Sequence, residues 1–341
     1  MTGAARRREA TGFLLAGVLL VALVLVAFSV GRYPVSPGQL WALLWAKITG
    51  SPSTLPAAME TVVFRVRGPR VLSAIAIGAT LAAAGSAYQG LFRNPLVSPD
   101  ILGVSTGAAL GATLGIFFSW GVAGIQGLAF ALGLAAVAVV YSVGAALRRH
   151  DPILVLVLAG IVIGTLLGSC ISLLKYLADP YNQLPAITFW LLGSLSSITV
   201  VDLLAILPGV VVGLIPLWLH RWRMNVMTLS EEEALTLGVD TRRVRLTVIA
   251  AATLMTAAVV SVSGVIGWIG LLIPHFARLL VGPDFARLLP AAMLLGAGYL
   301  VAVDTLARTI APLEIPLGVL TAFIGAPFFI WLLAVSRRGW Q

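Results

Sequence analysis

Cysteine occurs once in 341 residues, histidine three times, and lysine only as Lys47 and Lys175. Cys170 lies within an apolar run, so a disulfide framework and a cysteine-ligated metal site are excluded, leaving a small packing residue. Three scattered histidines and one cysteine form no reactive cluster, which excludes a polytopic membrane enzyme. Neither lysine follows a Gly-rich loop and no G-x-x-x-x-G-K-[ST] segment exists, so the chain does not bind ATP in the usual way. Charge is scarce as well. Asp, Glu, Lys and Arg make up 10% of the chain and hydrophobic residues 60%, against roughly 25% charged residues in soluble domains. A soluble enzyme with an oily core is excluded. The net charge of +9 does not signal nucleic acid, because the basic residues flank apolar runs and form no patch interleaved with aromatics.

What is present is a series of apolar runs, at about 12–30, 71–91, 101–118, 122–147, 153–174, 199–219, 246–263, 265–281, 288–306 and 317–335. A crossing needs about 20 such residues. The expected fold is therefore an all-α, polytopic membrane helix bundle with about ten transmembrane helices, forming a single domain over 1–341. The first run follows Arg6, Arg7 and Arg8 and reads as a retained helix, being too long for a signal peptide. Residues 31–60, with Pro34, Pro37, Pro52 and Pro56 beside Trp41 and Trp45, read as an outer interfacial loop carrying a short amphipathic piece. Residues 178–197 read as a second outer loop with a short helix. The run at 265–281, Gly-rich at its start and interrupted by Pro274-His275, reads as a half-length or broken helix.

Charge sets the orientation. With a cytoplasmic N-terminus and ten crossings, inner loops hold Arg6, Arg7, Arg8, Arg93, Arg148, Arg149, Arg221, Arg223, Arg242, Arg243, Arg245, Arg278, Arg287, Arg337 and Arg338. That is 15 of the 22 basic residues. Both termini are then cytoplasmic. The outer minority is Arg32, Lys47, Arg65, Arg67, Arg70, Lys175 and Arg308, with three of its arginines crowded at 65–70.

Several residues invite a chemical role. Asp304, near the end of a span with Arg308 one turn on, suits a coupling-ion site in an ion-driven carrier or a plain i,i+4 pair. His275 has no second ligand nearby, which makes a metal site unlikely to form there, and a helix-start role for Pro274-His275 is expected instead. In the largest inner loop Ser230 can cap a helix whose first turn is Glu231, Glu232 and Glu233, ended by Gly238, with Ala234, Leu235 and Leu237 giving an apolar contact. Such a helix is either a solvated connection or a knob that docks into a partner. Gln89 and the Pro-broken turn after Arg93 suit a protein-lined or water-lined surface better than one facing lipid. Gln89 and Ser105 are pore-lining candidates.

Motifs from about residue 60 onward carry a resemblance. They are Arg67-Gly-Pro-Arg70-Val-Leu, Gln89 with Arg93-Asn-Pro-Leu96, Leu102-Gly-Val-Ser-Thr-Gly-Ala108, Phe189-Trp-Leu-Leu-Gly-Ser194, and Glu233-Ala234 with Leu237-Gly238. Gly267-Trp-Ile-Gly-Leu-Leu-Ile-Pro-His275 with Arg278, Asp304 with Arg308, Glu314-Ile-Pro-Leu-Gly318 and Gly325-Ala-Pro-Phe328 follow in order. The chain resembles the iron-complex (FecCD-type) permease family of ABC importers, departing mildly at Gly68 and Trp268. The resemblance implies a permease subunit of the bacterial inner membrane that carries a metal chelate inward (iron-siderophore, haem or cobalamin). It implies no enzymatic activity, cofactor or bound metal of its own. The implied partners are a second permease copy, with a homodimer expected, two ATP-binding subunits on the cytoplasmic side, an extracytoplasmic substrate-binding protein, and membrane lipid. Arg67, Arg70 and Arg308 are then binding-protein docking residues, with lipid-headgroup anchoring as the plainer role. Glu231, Glu232, Glu233, Ala234, Leu237 and Gly238, on a helix at about 230–238, become the ATPase-coupling element. Asn94 and Leu96 belong to the implied cytoplasmic gate with the segment near Pro152 to Leu156; a structural turn is the alternative. The competing function is an ion-coupled secondary transporter that works without an ATPase.

Overall fold

The computed structural model describes residues 3–53, 55–147 and 152–336. Arg148, Arg149, Arg337 and Arg338, counted above among the inner basic residues, lie outside the described residues. In chain order the elements are α1 (Gly3–Ser29), α2 (Pro37–Thr49), α3 (Ala57–Thr61), a π turn (Val62–Arg67), α4 (Gly68–Leu91), a 3-10 turn (Pro99–Leu102), α5 (Val104–Phe117), α6 (Val122–Ala146) and α7 (Pro152–Leu177). After these come α8 (Gln183–Leu192), α9 (Val200–Leu219), α10 (Arg221–Val226), α11 (Glu231–Thr236), α12 (Thr241–Ser263), α13 (Ile269–Val281), α14 (Phe285–Ala307) and α15 (Leu317–Ser336). Among the described residues there is no strand.

Seven helical stretches are long and apolar enough to cross a membrane, while α5, α8, α13 and Leu317–Ile330 within α15 are shorter apolar helices. The 13 residues of α13 rise about 20 Å, short of a hydrocarbon core of roughly 30 Å. The half-length helix expected at 265–281 is therefore present.

The layers follow from side-chain size. In Ala57–Leu91 and Thr241–Ser263, 78% and 72% of the apolar window is buried, against 6% in Thr11–Ser29 and 17% in Val200–Leu219. Helix α4 lies innermost, against α12, α13 and α14, with α1 outside α14, α9 outside α12, and α5 paired with α6. It fits there because its buried face includes Ala82, Ala83, Ala84, Gly85 and Ala87, and small residues let backbones approach where water supplies no hydrophobic push. A Cβ added at Gly78 would sit 2.2 Å from the Gly296 carbonyl oxygen, and one at Gly296 would sit 2.3 Å from that of Gly78. Each glycine is the other's packing surface. Tyr88 Oη and Thr253 Oγ1, 3.1 Å apart, add a buried polar pin between α4 and α12.

Two expectations need correction. The outer loop read at 31–60 ends earlier and the span read from 71 begins earlier, because the helix starts at Ala57 and runs unbroken into α4. Pro69 has no N–H to give and would ordinarily end the helix. The π turn absorbs the mismatch by lengthening the ring, with the Gly68 N–H reaching Val63 O. Pro274 lies inside α13 rather than at its start. The start is set by Trp268, whose φ of 72° turns the extended Gly264–Gly267 segment into the helix. Its ring lies where a Cβ on Gly325 would come within 2.7 Å. The loops at 31–60 and 178–197 do carry short helices, α2 and α8. Ser36 and Gln39 close α2 with a capping box, and Trp41 and Trp45 stack on its exposed side at 6.2 Å.

Candidate functional site at the two ends of α4

The 24 residues of α4 rise about 36 Å, so Arg70 and Arg93 mark opposite ends of the bundle. At the first end the turn of the π segment brings Arg67 and Arg70 against α1, α14 and the chain after it. Arg70 Nε donates to Asp304 Oδ1 at 2.9 Å and to Oδ2 at 3.1 Å, while its Nη1 donates to Glu314 Oε1 at 2.9 Å. Arg308 Nε stands 3.7 Å from Asp304 Oδ2. The other donors of this cluster close the end of α1. Arg67 donates to Phe28 O and, at 2.6 Å, to Tyr33 O, and Arg308 donates to Ala27 O and, at 3.0 Å, to Val30 O. The last carbonyls of a helix have no partner within it. Here two guanidinium forks supply them, and they match the negative end of the α1 dipole. Gly31 is required beneath them: its φ is 143° and a Cβ would lie 2.8 Å from Arg67 Nη2.

The structure thus gathers all three sequence-predicted docking arginines into one cluster, with Asp304 and Glu314, but it buries them. Arg67 and Arg70 are 5% and 7% exposed, and their donors are engaged inside the chain. Arg32, Lys47 and Arg65 are exposed cations of this end. Asp304 is more than the i,i+4 partner of Arg308, because its closest cation, Arg70, lies 234 residues away in sequence.

At the other end, α11 forms where the sequence places it. Ser230 accepts from Glu233 N–H at 3.2 Å, and Glu233 Oε2 accepts from Ser230 N–H and Oγ at 2.9 Å, a reciprocal capping box. The Ser230 backbone bond first, then the Ser230 hydroxyl and the charge of Arg93, hold the Glu233 carboxyl below the usual carboxylate range. Gly238 ends the element at φ 75°. Ala234 is buried and Thr241 Oγ1 donates to Glu231 Oε1 at 2.6 Å, tying α11 to α12. Glu232 is exposed, and Leu235 and Leu237 stand out from the surface at 58% and 52% exposure.

Beside α11 lies the turn after α4. Asn94 and Leu96 are exposed, and Asn94 Oδ1 accepts from Leu96 N–H at 2.9 Å, an Asx turn. Arg93, read from sequence only as part of its motif and of the inner charge, reaches the chain just before α11: its Nε donates to Met227 O at 2.7 Å and its Nη2 to Leu229 O. A cavity of about 260 Å³ opens next to it, lined by Gln89, Arg93, Asn94, Asn225, Thr228 and Arg278 among others.

Gln89 and Ser105, taken from the sequence as pore-lining, are 2% and 6% exposed. Both are thus largely covered within the chain, with Gln89 at the edge of that cavity. Gln89 Nε2 donates to Leu271 O at 2.9 Å and its Oε1 accepts from Arg278 at 3.2 Å, joining α4 to α13. Ser105 donates to Asp100 Oδ1. Among the described residues no group of three or more His, Cys, Asp and Glu is placed to hold a metal ion.

A bundle with this central small-residue helix and these paired ends has relatives. The molybdate import system permease protein MolB of Haemophilus influenzae is 40% identical, with 94% of this chain and 95% of that one aligned. The cobalamin import system permease protein BtuC of Halobacterium salinarum is 39% identical over 93% and 94% of the two chains. The hemin transport system permease protein HmuU of Yersinia pestis is 38% identical over 99% of each. A solved structure described as an inward-facing conformation of a metal-chelate type ABC transporter superposes with a TM-score of 0.86 at 37% identity, covering 95% of this chain and 99% of that one. The model of the FecCD transport family matches residues 19–335, and the chain belongs to that family.

Proposed function

We propose that the chain is the transmembrane permease subunit of an ABC importer, moving a metal chelate of the iron-siderophore, haem or cobalamin type inward on ATP hydrolysed by a separate subunit. The observation that carries the reading is α11. A polar loop helix held by its own capping box and by Thr241, yet presenting Leu235 and Leu237 to water, has the form of a knob awaiting a socket, since large apolar side chains in such a loop otherwise gain nothing by exposure. The seven long spans, the shorter helices α5 and α15, and the half-length α13 continued by the non-helical residues 264–268 make the ten-crossing bundle, with both termini and α11 cytoplasmic, in the bacterial inner membrane.

In this reading two copies pair and the path lies between them. Helix α7 suits that face. Leu154, Leu158, Ile161, Val162 and Leu166 are exposed along it, and a Cβ at Gly164 or Gly168 would meet nothing within 4 Å. Asn94 and Leu96, exposed at the α11 end, form the cytoplasmic gate. A substrate-binding protein docks at the opposite end, over the cluster of Arg67, Arg70 and Arg308. Because three arginines there face only Asp304 and Glu314, the end keeps a positive field for acidic lobes, and exposed Arg32 and Arg65 extend it.

The test is capture of the ATPase. The tagged chain should retain an ATP-binding subunit through gel filtration, and Leu237→Asp should release it while the permease stays monodisperse. Retention by Leu237→Asp and by Glu233→Lys alike would remove α11 from the interface.

A further inference from the structure

Arg93 stands where a helix ordinarily ends in glycine. The N–H of Asn94 bonds Gln89 O at 3.2 Å and that of Arg93 bonds Gly90 O at 3.4 Å, the paired pattern of a Schellman ending whose left-handed residue is usually Gly. Arg93 takes that place with φ 50°, a conformation uncommon for any residue with a Cβ. Such an outlier points to a use for the side chain, and the use is visible. The guanidinium holds Met227 O at 2.7 Å and Leu229 O, two of the three carbonyls just before Ser230, the N-cap of α11. On the other side of the same residue begins the Asx turn that sets Leu96.

The neighbouring fastenings show what this contact is free to do. Helix α10 is tied to the start of α14, with Asn225 Nδ2 donating to Asp284 Oδ1 at 2.7 Å and Asn225 Oδ1 accepting from Phe285 N–H at 2.8 Å. Helix α11 is tied to α12 through Glu231 and Thr241. Between these two anchors residues 227–230 form a short bridge, and Arg93 grips its middle. A cavity of about 260 Å³ lies beside Arg93 and is lined on the bridge side by Thr228.

We propose that Arg93 is a transmission strut, a positioning residue that carries a displacement of α11 directly to the Asn94–Leu96 turn. The proposal rests on reading α11 as the ATPase-docking helix and 94–96 as the gate. Its planar fork holds two carbonyls at once, so the bridge and the turn move as one body. Lysine has donors enough but no fixed fork, so it would hold them less rigidly.

The test uses the complex with its ATPase subunits in lipid nanodiscs, with Cys170→Ala and Leu96→Cys in the permease. The rate of reaction of residue 96 with an impermeant maleimide is measured without nucleotide and with ATP plus vanadate. The nucleotide should change that rate when Arg93 is present. Arg93→Gly keeps the left-handed turn, which glycine adopts freely, so loss of the nucleotide response in that variant reports the missing side chain and not a misfolded turn. Arg93→Lys should keep part of the response. An undiminished response in Arg93→Gly would overturn the strut, and so would loss of the ATPase subunit from that variant on gel filtration, which would make Arg93 a docking residue. If residue 96 ignores nucleotide even with Arg93 present while the ATPase stays bound, the gate reading itself fails and the strut falls with it.

Discussion

Replacing Asp304 by asparagine removes the carboxylate that faces Arg70 at 2.9 Å and Arg308 at 3.7 Å. The Asp304 side chain is 2% exposed and that of Arg70 9%, so water cannot take the carboxylate's place. Breaking a buried pair by removing one member costs about 3–5 kcal/mol. Glu314 still faces Arg70 and the α1 carbonyls still face Arg308, which puts the expectation at the low end, about 3 kcal/mol. Glu314, whose side chain is 37% exposed, shares Arg70 under solvent screening, and Glu314→Gln should cost no more than about 1 kcal/mol. Taking roughly 2 °C per kcal/mol for a long chain, the midpoint of heat inactivation falls by about 6 °C for the first variant and about 2 °C for the second. The assay heats the detergent-purified protein and measures the fraction that still elutes as a monodisperse peak. Equal midpoints for Asp304→Asn and Glu314→Gln would refute the claim that Asp304 is the buried centre of this cluster.

Four further outcomes follow from the same geometry. Gly78→Leu should abolish the folded protein in membranes, since its Cβ would lie 2.2 Å from Gly296 O, whereas Gly164→Ala, with nothing within 4 Å, should change stability by no more than about 0.5 kcal/mol, a midpoint shift of about 1 °C. Gly238→Pro, which cannot take the φ of 75° found there, should uncouple ATP hydrolysis from uptake while the chain still inserts. The carboxyl of Glu233 is held below the usual range, so its cap is complete above the ordinary glutamate pKa and is lost only as pH falls through the lowered folded value; amide exchange at Ser230 should therefore stay slow at pH 5, and fast exchange there would contradict it. Arg65→Glu should weaken binding-protein association most at low salt without lowering the heat midpoint, whereas Arg67→Glu should lower both, because only Arg67 also caps α1.

Much of the bundle was legible because burial in lipid is written as composition. Runs of Ala, Gly and Leu without charge located every long helix. The cap at Ser230 could be read because it and its acidic first turn lie within four residues; the structure adds the return bond from Ser230 N–H to Glu233. What escaped was long-range or irregular. The four prolines placed a loop at 31–60 and the charges put the span's start at 71, since no periodicity announces a π turn that carries a helix from Ala57 past Pro69. Pro274 looked like a helix start because a proline usually is one, while the true start depends on Trp268 settling against Gly325. Asp304 could be paired with Arg308 from their spacing, but not with Arg70 across the bundle. Gln89 could be picked out because it is polar, but its hydrogen bond to Leu271 O, which joins α4 to α13, could not be read from the sequence. Arg93 was legible as part of the Arg93-Asn-Pro-Leu96 motif, but its bonds to Met227 O and Leu229 O were not, because arginine is not a residue one expects at a left-handed helix end.

The central claim is import driven by a separate ATPase, and reconstitution tests it most directly. The permease is placed in liposomes with and without its ATPase subunits, supplied with the binding protein on the outer side and ATP inside. Ferric chelate, haemin, cobalamin and molybdate are offered in turn. The account predicts accumulation of one metal chelate only when ATPase subunits and ATP are both present, with no uptake driven by an imposed proton or sodium gradient. Gradient-driven uptake by the permease alone would contradict it and make the chain a secondary carrier.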